Sequence, residues 1–96
     1  MTVQFLDEAR AEIREAIAHY DEQRPGLGDE FLIEVQRAAG RIASFPNAWP
    51  MLSRATRRCR ASRFPYGLVY QVRADHILIV AVMHLHRRAG YWRDRV

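Results

Sequence analysis

Two amphipathic stretches joined by a short breaker constrain this chain more than any other feature of its sequence. Ala9, Ile13, Ala16, Ile17 and Tyr20 recur at the three-and-four spacing of one helix face, with Glu8, Arg10, Glu12, Arg14 and Glu15 off it. Asp7 offers an N-cap, and the pattern predicts a helix of about four turns. Proline and two glycines in Arg24-Pro25-Gly26-Leu27-Gly28 end it. A second helix then puts Phe31, Val35, Ala38, Ala39, Ile42 and Phe45 on one face, until Pro46 stops it. Helices joined this closely pack antiparallel as a hairpin, and a hairpin alone cannot bury both apolar faces. Something else in the chain must cover them.

The remaining segments supply a sheet. Thr2 to Leu6 is a short first strand, and residues 46–56, with two prolines and no periodicity, are a loop. Arg57 to Arg63 alternates so that Cys59 and Ala61 point one way and Arg58, Arg60 and Ser62 the other. Phe64-Pro65-Tyr66-Gly67 is a turn, Leu68 to Val72 a strand, and Ala74-Asp75-His76 a turn. Ile77 to Met83 is a fully apolar strand of the kind covered on both faces. The expected fold is α+β: an N-terminal strand, a helical hairpin, then a three-stranded antiparallel meander completing one small sheet, with a short C-terminal tail from Arg87 to Val96. Ninety-six residues with 49% hydrophobic content suit a single domain spanning 1–96 with one core.

Charge is divided along the chain. Residues 1–34 hold nine acidic residues against Arg10, Arg14 and Arg24, whereas residues 35–96 hold only Asp75 and Asp94 against twelve arginines. All fifteen basic residues are arginine. A preference for arginine codons accounts for the missing lysine but not for the segregation. The planar guanidinium fork suits phosphate and carboxylate alike, so the basic half is expected to meet an acidic partner. No apolar run reaches the roughly 18 residues of a spanning helix, and the N-terminus lacks the pattern of a signal peptide, so the chain reads as cytoplasmic with no membrane partner. Cys59 is the only cysteine, which precludes an internal disulfide.

The order of elements, with Arg63-Phe64-Pro65-Tyr66-Gly67-Leu68-Val69-Tyr70, Ile79-Val80-Ala81-Val82-Met83-His84, Arg87-Arg88 and Tyr91-Trp92, resembles the RelE/ParE superfamily of bacterial toxins over nearly the whole chain. Such proteins belong to type II toxin–antitoxin modules, also called plasmid stabilisation systems. The resemblance implies growth inhibition and neutralisation by a cognate antitoxin whose acidic segment wraps the toxin. It also implies indirect contact with operator DNA through that antitoxin. Two targets are implied by its two branches: DNA gyrase, bound and inhibited without chemistry by ParE-like members, or the ribosome with mRNA, cut by RelE-like endoribonucleases. The binding-module reading on gyrase is preferred, with the endoribonuclease as alternative, and no cofactor is expected.

On the RelE-like alternative, the resemblance makes Arg58, Arg60, Arg87 and Tyr91 the catalytic group. Cations would stabilise charge on phosphate beside a group that moves a proton. Against it, a further arginine of that branch falls at Gly67, and the spacing from Arg87 to Tyr91 is about two residues short. For antitoxin or target binding the candidates are Arg57, Arg58, Arg60, Arg63, His84, Arg87, Arg88, Tyr91 and Trp92. His84 and His86 share a strand face, but a zinc site wants three or four ligands, so no metal is expected and His84 reads first as structural. Cys59, Tyr66 and Tyr70 are expected in the core. Tyr91 and Trp92, in a polar tail, are expected as surface anchors or stacking groups, with a tail folded back on the sheet as the alternative.

Overall fold

The computed structural model describes residues 1–96 and contains six regular elements and a terminal turn. Strand β1 is Thr2–Phe5, helices α1 and α2 are Asp7–Gln23 and Leu27–Ser44, and strands β2, β3 and β4 are Arg57–Arg60, Tyr66–Val72 and His76–His84. A 3-10 turn, Arg93–Arg95, closes the chain. The sheet order is β1-β4-β3-β2, with β1 parallel to β4 and the other neighbours antiparallel. The helical hairpin is therefore the crossover that a parallel β1–β4 pair requires.

Helix α1 begins one residue earlier than its cap pattern suggests. Leu6 is the N-cap, extended at φ −62° and ψ 151°, and Asp7 is already helical. The Leu6 N–H donates to Ile79 O at 3.0 Å, so strand pairing runs up to the helix and leaves no residue for a side-chain cap. Asp7 and Glu8 instead offset the positive end of the helix dipole. The helices are joined through Gly26, at φ +88°. They meet closely at Gly28, where an added Cβ would stand 2.7 Å from Ile17 O.

The hairpin lies on one face of the sheet. Ala9, Ala16, Tyr20, Phe31, Val35, Ala38 and Ile42 pack against Cys59, Leu68, Tyr70, Ile77, Ile79 and Val82. Phe45, read from the helical pattern as part of that stripe, is instead 66% exposed, because the chain leaves the helix there. Burial of β4 on both faces, expected from its continuous apolarity, is observed: Val69, Val80, Ala81, Met83 and Trp92 form a second, smaller cluster.

A bulge in β4 makes two-sided burial work. Tyr70 pairs with Ile79 and Val69 with Ala81, which leaves Val80 without a partner on β3 and shifts the alternation by one. Ile77 and Ile79 precede the bulge and Val82 follows it, yet all three reach the hairpin core. Past Ile79 the other edge of β4 has no strand beside it, since β1 ends at Phe5. Two side chains fill the gap. The Val82 N–H donates to Glu12 Oε1 at 3.0 Å, and Val80 O accepts from Arg95 Nη1 at 3.1 Å.

Glu12 is thus a strand substitute, buried at 9% exposure and bound also to the Arg87 and Arg95 guanidinium groups and the Tyr91 hydroxyl. Removing it leaves the Val82 N–H and the Tyr91 hydroxyl without an acceptor and the mostly buried Arg95 without its counter-charge. Glu12→Ala is expected to cost about 3 kcal/mol in urea unfolding. Glu12→Gln, which keeps an acceptor for Val82, should cost less.

Candidate functional site

Strand β2 sets the geometry of the basic face. Its alternation sends Cys59 into the hairpin core at 0% exposure and turns Arg58 and Arg60 to the opposite side, as the sequence pattern requires. Arg60 pairs across the ladder with Gly67, and Arg58 with Val69. The aliphatic stem of Arg58 lies over Gly67: a Cβ there would meet Arg58 Cδ at 2.8 Å and Cγ at 2.9 Å. Glycine at 67 is what lets Arg58 lie flat on the sheet.

The loop before β2 forms the wall. Trp49, Pro50 and Leu52, with Arg58 and Arg60, line a cavity of about 210 Å³. Arg58 and Leu52 continue it into a smaller hollow beside Met83, Trp92 and Arg93. The wall is held by main-chain carbonyls: Tyr70 Oη donates to Pro46 O at 2.6 Å, Arg57 Nη1 to Trp49 O at 2.7 Å, and the Arg58 N–H to Pro50 O at 3.2 Å. No carboxylate lies within ion-pair distance of Arg58 or Arg60. An apolar floor under two uncompensated cations results.

The other candidates are placed elsewhere. Arg57 shares the side of Cys59, and its guanidinium holds the loop. Arg63, at φ +70°, reaches back to α2, bonding Glu30 Oε1 at 2.6 Å and approaching Glu34 at 4.0 Å. Arg87 lies 3.2 Å from Glu12 Oε2 and stacks over the Tyr91 ring at 3.7 Å. Burial, and then the hydrogen bond to Glu12, push the Tyr91 hydroxyl well above the usual phenol range. His84 packs between the rings of Tyr66 and His86, and its Nδ1 accepts from the His86 N–H at 3.1 Å. Arg88 is exposed and unpaired. No three His, Cys, Asp or Glu side chains are grouped so as to hold a metal ion.

Trp92 requires a correction. Expected as a surface group, it is 3% exposed, because the tail folds back and seals the otherwise open face of β3 and β4. Polar composition hid this, since two of the tail's charges are satisfied by a buried carboxylate: Arg87 and Arg95 both bond Glu12, Arg95 Nη1 at 2.8 Å from Oε1. Glu12 itself was legible in principle. The buried stripe of α1 is Ala9, Glu12, Ala16 and Tyr20, so Glu12 occupies a core position at helical spacing. Glu34, 4% exposed beside Phe31 and Val35, gives the same signal.

The family model for "ParE toxin of type II toxin-antitoxin system, parDE" matches residues 3–89. Among solved structures, a chain from "Chromosomal ParDE TA system from P. aeruginosa" is similar in fold, with a TM-score of 0.80 at 16% identity, covering 90% of this chain and 97% of that one. No curated protein sequence matches the chain.

The hairpin-to-sheet ion pairs carry a pH signature. Hydrogen bonds from Arg63 and then Arg24 hold the Glu30 carboxyl below its ordinary value of 4.5. A depressed folded-state value adds stability above the unfolded value, and that stability is lost as pH falls through the folded one. The urea midpoint is expected to decline below about pH 4.5. Glu30→Gln should start lower at pH 7 and decline less over the same window.

Proposed function

The chain belongs to the ParE toxin family of type II toxin–antitoxin systems, and from that premise we propose that it is an inhibitory binding module whose target is DNA gyrase and whose Arg58–Arg60 groove engages that target and is covered by a cognate antitoxin. The observation that carries this is the pairing of two uncompensated guanidinium groups with the apolar wall of Trp49, Pro50 and Leu52. Such a surface suits a polypeptide that presents acidic and apolar side chains together, as a segment wrapping the toxin would. Free phosphate backbone would leave the apolar wall without a partner.

The endoribonuclease reading keeps one observation in its favour, that Arg58 and Arg60 stand together on one sheet face with Arg87 at the end of β4. Three others weigh against it. Position 67 is glycine beneath the Arg58 stem, so no third cation stands there. Arg87 is tied to a carboxylate. The Tyr91 hydroxyl is bound to that same carboxylate, and its raised pKa makes it a poor base at neutral pH. A binding role needs none of these groups to move a proton.

Arg58→Ala combined with Arg60→Ala is expected to abolish growth arrest on induction of the chain alone, with an unchanged urea midpoint. Retained arrest in the folded variant would remove both residues from the site. Inhibition of purified gyrase by the wild-type chain, with intact messenger RNA in induced cells, is the expected outcome. Cut messenger RNA with normal gyrase activity would replace this reading with the ribonuclease one.

A further inference from the structure

A second basic feature lies where β2 begins and β3 ends, apart from the Arg58–Arg60 groove. Asn47, Arg54, Arg57, Tyr70, Gln71 and Arg73 line most of a cavity of about 350 Å³, and no carboxylate lines it. Two of its three guanidinium groups are fixed by neutral acceptors. Arg57 Nη1 donates to Trp49 O at 2.7 Å and Asn47 O at 3.3 Å. Arg73 donates to Gln71 Oε1 through Nε at 3.0 Å and Nη2 at 2.6 Å. Arg54 forms no ion pair.

The contrast with five arginines elsewhere is chemical. Arg24, Arg37, Arg63, Arg87 and Arg95 all rest on carboxylates, which cancel their charge. An arginine resting on carbonyl oxygen keeps its full charge and its remaining donors, now held in one orientation. Three uncompensated charges around one cavity repel one another when it is empty, and an anion relieves that repulsion. A carboxylate brings one charge and two oxygens. A phosphate ester brings up to two charges and more acceptor oxygens, which better matches three guanidinium forks and two amides.

We propose that this cavity is a phosphate-ester site, with Arg54, Arg57 and Arg73 as the cationic donors and Asn47 and Gln71 as the amide ones. Arg54, Ala55 and Gln71 also border a second hollow that runs past Ser53 and Thr56 to Trp92, Arg93 and Val96, so a ligand with several phosphates can extend from the cavity toward Arg93. The ester can belong to a nucleic-acid backbone or to a free nucleotide.

The test uses the whole chain with two probes, ATP by calorimetry and a labelled short DNA duplex by anisotropy across a salt series. The variant is Arg54→Gln with Arg73→Gln. Arg57 is kept because it anchors the loop. The control is Arg10→Gln with Arg14→Gln on α1, which removes the same net charge from outside the cavity. The cavity variant is expected to weaken the bound probe roughly tenfold or more, while the control stays near wild type. If DNA is the probe, the salt slope should also fall by about 0.9 for each phosphate that the variant no longer neutralises. Binding of DNA that pyrophosphate displaces assigns the backbone as source; binding of ATP without DNA assigns a free nucleotide. Equal weakening in variant and control would reduce the effect to net charge and overturn the proposal, as would failure of both probes to bind the wild-type chain at low salt. Arg54→Gln alone, which breaks no ion pair, preserves the test should the double variant fail to fold.

Discussion

One buried carboxylate organises the molecule. Taking Glu12 out of water costs several kcal/mol, and burial of that kind is tolerated only where donors surround the charge. Here the Val82 N–H, the Tyr91 hydroxyl and the guanidinium groups of Arg87 and Arg95 do so. Those four partners come from β4, the turn after it and the tail. The same contact therefore fixes α1 against the sheet, completes the β4 edge where β1 has ended, and brings the tail across the face that Trp92 then seals. Without it the Tyr91 hydroxyl of the tail and the Val82 N–H past the bulge would lose their acceptor.

The same logic sorts the arginines. The sequence splits charge into an acidic first third and a basic remainder, but folding cancels part of the split by sending helix carboxylates to distant guanidinium groups. Glu12 takes Arg87 and Arg95, while Glu30 and Glu34 take Arg63. Arg58 and Arg60 escape this pairing because the alternation of β2 aims them away from the helices, where all the nearby carboxylates are. Arg57 and Arg73 escape it differently, meeting neutral carbonyl oxygen instead. Uncompensated positive charge thereby gathers in the loop before β2, on the outer face of that strand, at the turn after β3 and in the tail, besides single arginines on the helices. These are the surfaces a negatively charged partner can reach.

Much of the architecture was legible because it rests on local rules. The hairpin follows from apolar spacing and the Pro25-Gly26 break, the burial of Cys59 and Tyr70 from strand parity, and the two-sided burial of β4 from continuous apolarity. Arg58 and Arg60 were placed correctly on one face by the same parity. Phe45 was misplaced because the helical pattern outlasts the helix by one residue. Trp92 was misplaced because a polar tail looks solvated until Arg87 and Arg95 are seen to meet Glu12. Gly67, which the sequence shows only as a missing arginine, has a positive structural reason in the Arg58 stem that crosses it.

By itself, then, the sequence determined which segments are helix and strand, which face of each is apolar, and that positive charge gathers in the second part of the chain. Periodicity and composition are properties of neighbouring residues. What only the tertiary structure decided is which arginines remain available to a partner and which are neutralised. That outcome depends on contacts such as Glu12 to Arg95, 83 residues apart, and no local pattern encodes the meeting of two such distant side chains.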